Sequence, residues 1–298
     1  YSANVRAEKL DFTVKMAHLK KLQLYTTRLV EAYPRHPASI RATYLRARTK
    51  RELNDNLGAI ADYKQFAARG KGEPEYPFAT LTLCELLMNV KDYRGALNYL
   101  AQLEKLEKGL ILGIALDKMA WAHYFLDDIP LAFQALGREV AELDPGNASD
   151  SQVLARTVQP ASLFFMRGFE KSLAQYRPEQ ALATVQELFT KEPKLAEQAL
   201  IQLAFHLRSK DKDTELSQLL AANKKMKSLT LDLAAVIGGH QLNQRKYEQM
   251  RETALSASKT LTELSADEKQ DYQTNGGRLI KELANWMREL QARYVKNK

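Results

Sequence analysis

A small residue, usually Ala, recurs about every 36 positions along much of this 298-residue chain, and an aromatic or aliphatic residue follows it four positions later. Ala59 is followed by Tyr63, Ala96 by Leu100, Ala132 by Leu136 and Ala181 by Val185. The first two intervals are 37 and 36 residues. A fixed period in that range marks stacked supersecondary units, each burying its apolar face against the next. Stacks of this kind commonly offer a binding surface, so the period narrows function as well as fold.

The units read as helices. Only 9 Pro and 13 Gly occur, and the stretches from Val5 to Tyr33 and from Ala148 to Gln159 contain neither. Apolar residues fall at i, i+3, i+4 and i+7, separated by Lys, Glu, Gln, Arg and Ala, all good helix formers. The expectation is an all-α chain of paired antiparallel helices, with small residues such as Ala47 and Ala59 letting two backbones approach closely. The clearest pair spans Ala38 to Arg69, with helices over 39–53 and 57–68 and a turn at Asn54-Asp55-Asn56, whose side chains bond their own backbone. The next has helices over 76–88 and 93–106, and the third over 110–126 and 130–143, where Pro130 suits a first helical turn.

The pattern Asp92-Tyr93-Arg94-Gly95-Ala96-Leu97 resembles the second-helix entry of tetratricopeptide (TPR) repeats, as do the small residues Ala47, Cys84 and Ala120, each twelve positions upstream of a recurrent position. Pro193 falls where that family places its helix-ending proline; Ala204 with Leu216 and Gly238 with Tyr247 and Met250 are degenerate matches. The resemblance covers 38–264 and implies a right-handed superhelical solenoid. The step from Ala132 to Ala181 is 49 residues, and the polar segment 144–152 breaks the pattern, with a helix restarting at Gln159-Pro160. The expected organisation is an N-terminal helical segment (1–37), a first array (38–147), a second, degenerate array (148–264) and a C-terminal capping helix (265–298). That last helix opens on a capping box, Ser265 to Glu268, and carries an apolar stripe of Leu279, Leu283, Trp286, Met287, Leu290 and Tyr294.

A narrower likeness lies at Leu29–Ser39, where Tyr33-Pro34-Arg35-His36-Pro37 precedes Ala42, Tyr44 and Ala47. It is similar to bacterial cell-envelope TPR proteins, such as the lipoprotein subunit of the outer-membrane β-barrel assembly machinery and the periplasmic coordinator of the Tol–Pal system. The likeness implies a periplasmic or envelope location; a cytoplasmic adaptor or regulator is the alternative. The chain begins at Tyr1 rather than Met, as expected of a trimmed or processed piece, and membrane association is expected only through an N-terminal anchor upstream or through a partner.

Little in the sequence announces chemistry. The single cysteine, Cys84, excludes an intramolecular disulfide and a Cys-based zinc site. The five histidines are scattered, and none forms a His-Glu-x-x-His pair. Ser256-Ala-Ser-Lys259 lacks the companion elements of a Ser-x-x-Lys enzyme, and Gly70-Lys71-Gly72 lacks the flanking strand and helix of a phosphate loop. No catalytic residue, cofactor or metal is expected. The net charge of +8 permits anionic partners, and its densest clusters, Arg46–Arg51 among them, read as solvated surface.

In the TPR family the first helix of each pair lines the concave surface. By that resemblance the partner-binding positions are Arg41, Tyr44, Arg48 and Arg51, then Phe78, Leu81, Glu85, Met88 and Asn89, then Asp117, Trp121 and Tyr124. The groove would have a basic mouth, an apolar middle and an aromatic wall, suited to an acidic or amphipathic protein segment. Glu85 and Asp117 would interrupt any basic stripe, which argues against nucleic acid.

Overall fold

The computed structural model describes residues 2–274 together with 279, 281, 282, 285, 286, 288, 289 and 292, with side chains from residue 12 onward. Among the described residues it is all-helical: α1 (Ser2–Ala32), α2 (Pro37–Glu52), α3 (Asn56–Arg69), α4 (Tyr76–Asn89), α5 (Tyr93–Leu106), α6 (Gly109–Phe125), α7 (Ile129–Glu142), α8 (Ala148–Glu170), α9 (Ala181–Leu188), α10 (Pro193–Ser209), α11 (Asp213–Ala222), α12 (Lys227–Asn243), α13 (Tyr247–Thr262) and α14 (Ala266–Thr274). Two single 3-10 turns, Ala174–Tyr176 and Pro178–Gln180, lie between α8 and α9. The chain divides into two units, Tyr1–Glu142 and Leu143–Lys298.

The period has a backbone cause. Asn54, Lys91, Asp127, Ser172, Asp211 and Arg245 all adopt left-handed φ, between 54 and 65°. Each ends the first helix of a hairpin, and the residue after it donates its N–H to the carbonyl five positions back, at 2.8–3.1 Å. This caps the last carbonyls of the helix and reverses the chain into the next one. Two of these turns also cap the second helix: Asp55 accepts from the Gly58 N–H and Asp92 from the Gly95 N–H, each at 2.9 Å.

Seven positions before each left-handed residue lies the close-approach position: Ala47, Cys84, Ala120, Phe165, Ala204 and Gly238, all buried. Phe165 is the exception to smallness. There the 3-10 turns bring the Tyr176 ring against Gly168, so the close approach moves about one helical turn along α8.

In the first unit each helix packs on the next, from α1 to α7, and α4 also packs on α6. Its core holds Tyr63, Phe66, Tyr76, Leu83, Leu87, Leu100 and Leu103. The α2–α3 hairpin buries a charged triad: Asp62 receives Nε and Nη2 of Arg46 at 2.8 and 2.6 Å and lies 2.8 Å from Lys50 Nζ. Arg46 is 9% exposed, so the expectation that Arg46–Arg51 is wholly solvated surface is corrected. An arginine whose fork is filled by one carboxylate is the charged side chain best suited to an interior.

In the second unit α8 packs on α10, α10 on α12 and α12 on α13. The expected restart at Gln159-Pro160 is also corrected: Pro160 lies inside a continuous α8. A mid-helix proline costs about 3 kcal/mol, and the burial of Leu154, Val158, Ala161, Phe164 and Phe165 on the same helix offsets it. Pro193 opens α10 rather than closing a helix, a position where its missing N–H costs nothing. The capping box forms as expected, with Ser265 N–H donating to Glu268 Oε2 at 2.8 Å and Glu268 N–H to Ser265 Oγ at 3.2 Å. Of the C-terminal stripe, Leu279 and Trp286 are buried beside Leu231, Ala234 and Met250; Leu283, Met287, Leu290 and Tyr294 lie outside the described residues.

Candidate functional site

The nominated side chains fall on the first helices of three successive hairpins, α2, α4 and α6. On α2, Tyr44 packs against Phe66 and Tyr63, with ring centroids 5.3 and 6.4 Å away, and the Arg48 guanidinium sits 5.8 Å from the Tyr44 ring. Arg48 and Arg51 are exposed and enter no ion pair among the described residues. Arg41 instead lies 3.1 Å from Glu75, at the entry to α4. These contacts leave two cations for a ligand and commit the third.

On α4, Phe78 is 60% exposed, Asn89 is exposed, Leu81 is buried and Met88 packs half-buried against the core. Glu85 pairs with Lys118 of α6 at 2.8 Å, so it ties two hairpins together rather than standing free. On α6, Trp121 meets Tyr124 edge-on at 5.7 Å and stacks on Phe125 at 6.0 Å, and Phe125 stacks on Tyr93 of α5 at 5.0 Å. Phe125, 51% exposed, and Tyr93 extend the aromatic surface and were not foreseen. Their spacing matches no first-helix pattern, because Tyr93 arrives from the second helix of the preceding hairpin.

Asp117 differs most from expectation. Burial raises its carboxyl above the ordinary range, against the pull of Lys118 and a hydrogen bond from Trp121. Its neighbour on α7 is Glu139, which is 2% exposed and has no hydrogen-bond partner for Oε2. Burial first, and the Asp117 charge second, push the Glu139 carboxyl up to about 8. Sequence reasoning missed Glu139, although a signal was present: it occupies an apolar slot in the run Ala132, Ala135, Leu136, Val140.

The second unit carries two polar clefts without nominated residues. One, of about 690 Å³, opens between α8 and α10 and is lined by Arg156, Gln159, Gln198 and Gln202. The other, of about 400 Å³, is lined by residues of α11, α12 and α13, including His240. There His240 Nε2 stands 2.9 Å from Asp213 Oδ1, and Lys246 bonds the other Asp213 oxygen. Burial opposes the Asp213 charge, but the bonded Lys246 and His240 outweigh it and hold the carboxyl below its usual range. Asp211 receives Gln244 Nε2 at 2.8 Å, so these bonds join two consecutive hairpin turns.

Burial pushes the Cys84 thiol up to about 12, which makes it unreactive at neutral pH. Among the described residues, no three His, Cys, Asp or Glu side chains are placed to hold a metal ion, and no helix is long and apolar enough to cross a membrane. Compared with known proteins, the chain matches no family model and no curated protein.

Proposed function

We propose that this chain is a non-catalytic protein–protein interaction scaffold of the TPR type. In this reading its helix pairs stack as a right-handed superhelical solenoid, and α2, α4 and α6 present a groove that captures a partner segment. The observation that carries the reading is the same left-handed turn closing six successive hairpins, the regularity that a stacked array requires. The partner would be acidic or amphipathic. Arg48 and Arg51 remain for its carboxylates, Phe78 for an apolar side chain, and the Trp121–Tyr124–Phe125 cluster for an aromatic or aliphatic anchor. The likeness at Tyr33-Pro34 to Pro37 supports a bacterial cell-envelope setting.

Affinity capture from native extract tests this, using the chain beside an Arg48→Glu/Phe78→Ala variant, both at exposed positions. Envelope proteins retained by the chain and lost from the variant are expected. Cytoplasmic partners would transfer the reading to an adaptor of that compartment. A ligand set unchanged by the variant would remove the groove from the proposal, and binding that collapses steeply with salt would point to phosphate contacts instead.

A further inference from the structure

The last hairpin of the first unit holds two acids where a packed helix pair has no obvious use for them. Glu139 of α7 is buried with an unpartnered oxygen, and Asp117 of α6 accepts a hydrogen bond from Trp121. The lysine of α6 and the arginine of α7 make their ion pairs with other acids, although Lys118 still favours the Asp117 charge. Lys118 is bonded to Glu85 of α4, and Arg138 of α7 is bonded to Glu104 of α5. The charged group acting on Glu139 is therefore the Asp117 carboxylate itself. Two ionised carboxylates close together in a low-dielectric interior repel strongly, and the ordinary escape is for one to keep its proton.

We propose that Asp117 and Glu139 hold one proton between them in the folded hairpin, and that its loss loosens α7 from α6 and releases Trp121, making the hairpin a proton-operated latch. Lys118 and the bond from Trp121 favour the charged form of Asp117 against its burial, whereas nothing is bonded to Glu139 Oε2 to favour its charge. With Glu139 titrating at about 8, against 4.5 for an unperturbed glutamate, the folded hairpin carries one more proton than the unfolded chain between those values. Unfolding then releases that proton and becomes easier as pH rises, by up to about tenfold per pH unit, until Glu139 ionises in the folded state and the effect levels off. Trp121 links this event to the surface, since its ring supports Tyr124 and Phe125. The latch stands whether or not that surface binds a partner.

The test is carbon NMR of the full chain labelled at the glutamate side-chain carboxyl, titrated from acid to alkaline pH. The expected result is one carboxyl signal with a midpoint near 8, absent in Glu139→Gln and moved down in Asp117→Asn, with the Trp121 indole N–H signal shifting at the same midpoint. Wild type should also lose more thermal stability than Glu139→Gln between pH 6 and 8.5. Should Glu139→Gln fail to fold, the wild-type signal and its response to Asp117→Asn still decide. The proposal is overturned if every glutamate carboxyl titrates below about pH 6, if Asp117→Asn leaves the midpoint where it was, or if the Trp121 signal is indifferent to it.

Discussion

The indole ring of Trp286 fills the space that any side chain at Gly238 would need: a Cβ there would stand 2.2 Å from Trp286 Cη2. Trp286 is fully buried, so the ring has nowhere to retreat. Gly238→Ala should therefore destabilise the chain by about 1–3 kcal/mol, as overpacking does, and shift Trp286 emission to longer wavelength. The adjacent Gly239→Ala is the control. Its Cβ would meet nothing nearer than Arg208 Nη1 at 3.8 Å, so it should be neutral or stabilising in thermal unfolding.

Asp62 is the one acid serving Arg46 and Lys50 inside the α2–α3 hairpin. Asp62→Leu alone strands the Arg46 charge in the interior and should cost about 3–5 kcal/mol. Pairing it with Arg46→Met removes the stranded charge and should recover most of that loss. A double-mutant cycle by denaturant unfolding measures the difference; simple additivity would mean that the pair does not interact.

Lys91 and Arg245 occupy left-handed backbone for which their side chains are poorly suited. Lys91→Gly and Arg245→Gly should each raise stability by up to about 1 kcal/mol, less the entropy glycine adds to the unfolded chain. Lys91→Val should lower it, because a β-branched side chain clashes there. Asn54→Gly and Asp127→Gly should gain less, since Asn and Asp tolerate this conformation better. Melting temperatures of the five variants check the order.

Burial lowers the His206 pKa from 6.5, and its Nε2 has no hydrogen-bond partner. The unfolded chain therefore binds a proton at this site more readily than the folded one. Stability is unaffected above pH 6.5 and falls as pH drops below that value toward the folded pKa. His206→Leu should flatten the acid limb of a melting-temperature profile between pH 7 and 5; an unchanged slope would place the acid lability elsewhere.

Much of the first unit was legible in the sequence because its turns carry chemistry of their own. Asn54-Asp55 and Lys91-Asp92 pair a left-handed residue with a backbone-bonding carboxylate, Asp127-Asp128 repeats the acidic pattern, and the six helices these turns join begin and end within about two residues of expectation. The turn at Ser172 was not legible. Its flanks, Lys171 and Leu173, include no Asn, Asp or Gly, and its close-approach position is Phe165. Pro160 misled because tertiary burial outweighed a strong local breaker. The candidate site was legible as a set of positions but not as a set of partners. Sequence spacing put Arg41, Glu85 and Asp117 on helix faces, yet Glu75, Lys118 and Glu139, which engage or perturb them, come from other elements.

The left-handed turns have a consequence for how the chain comes into being. Each is closed by backbone bonds spanning six residues, and within each unit the helices pack mainly on the next helix or the one after. Such contacts need little loop closure, so folding can advance from the N-terminus as residues become available. Within each unit, a chain wired this way can mature hairpin by hairpin behind a ribosome or a translocation pore, with each new pair finding its template already in place.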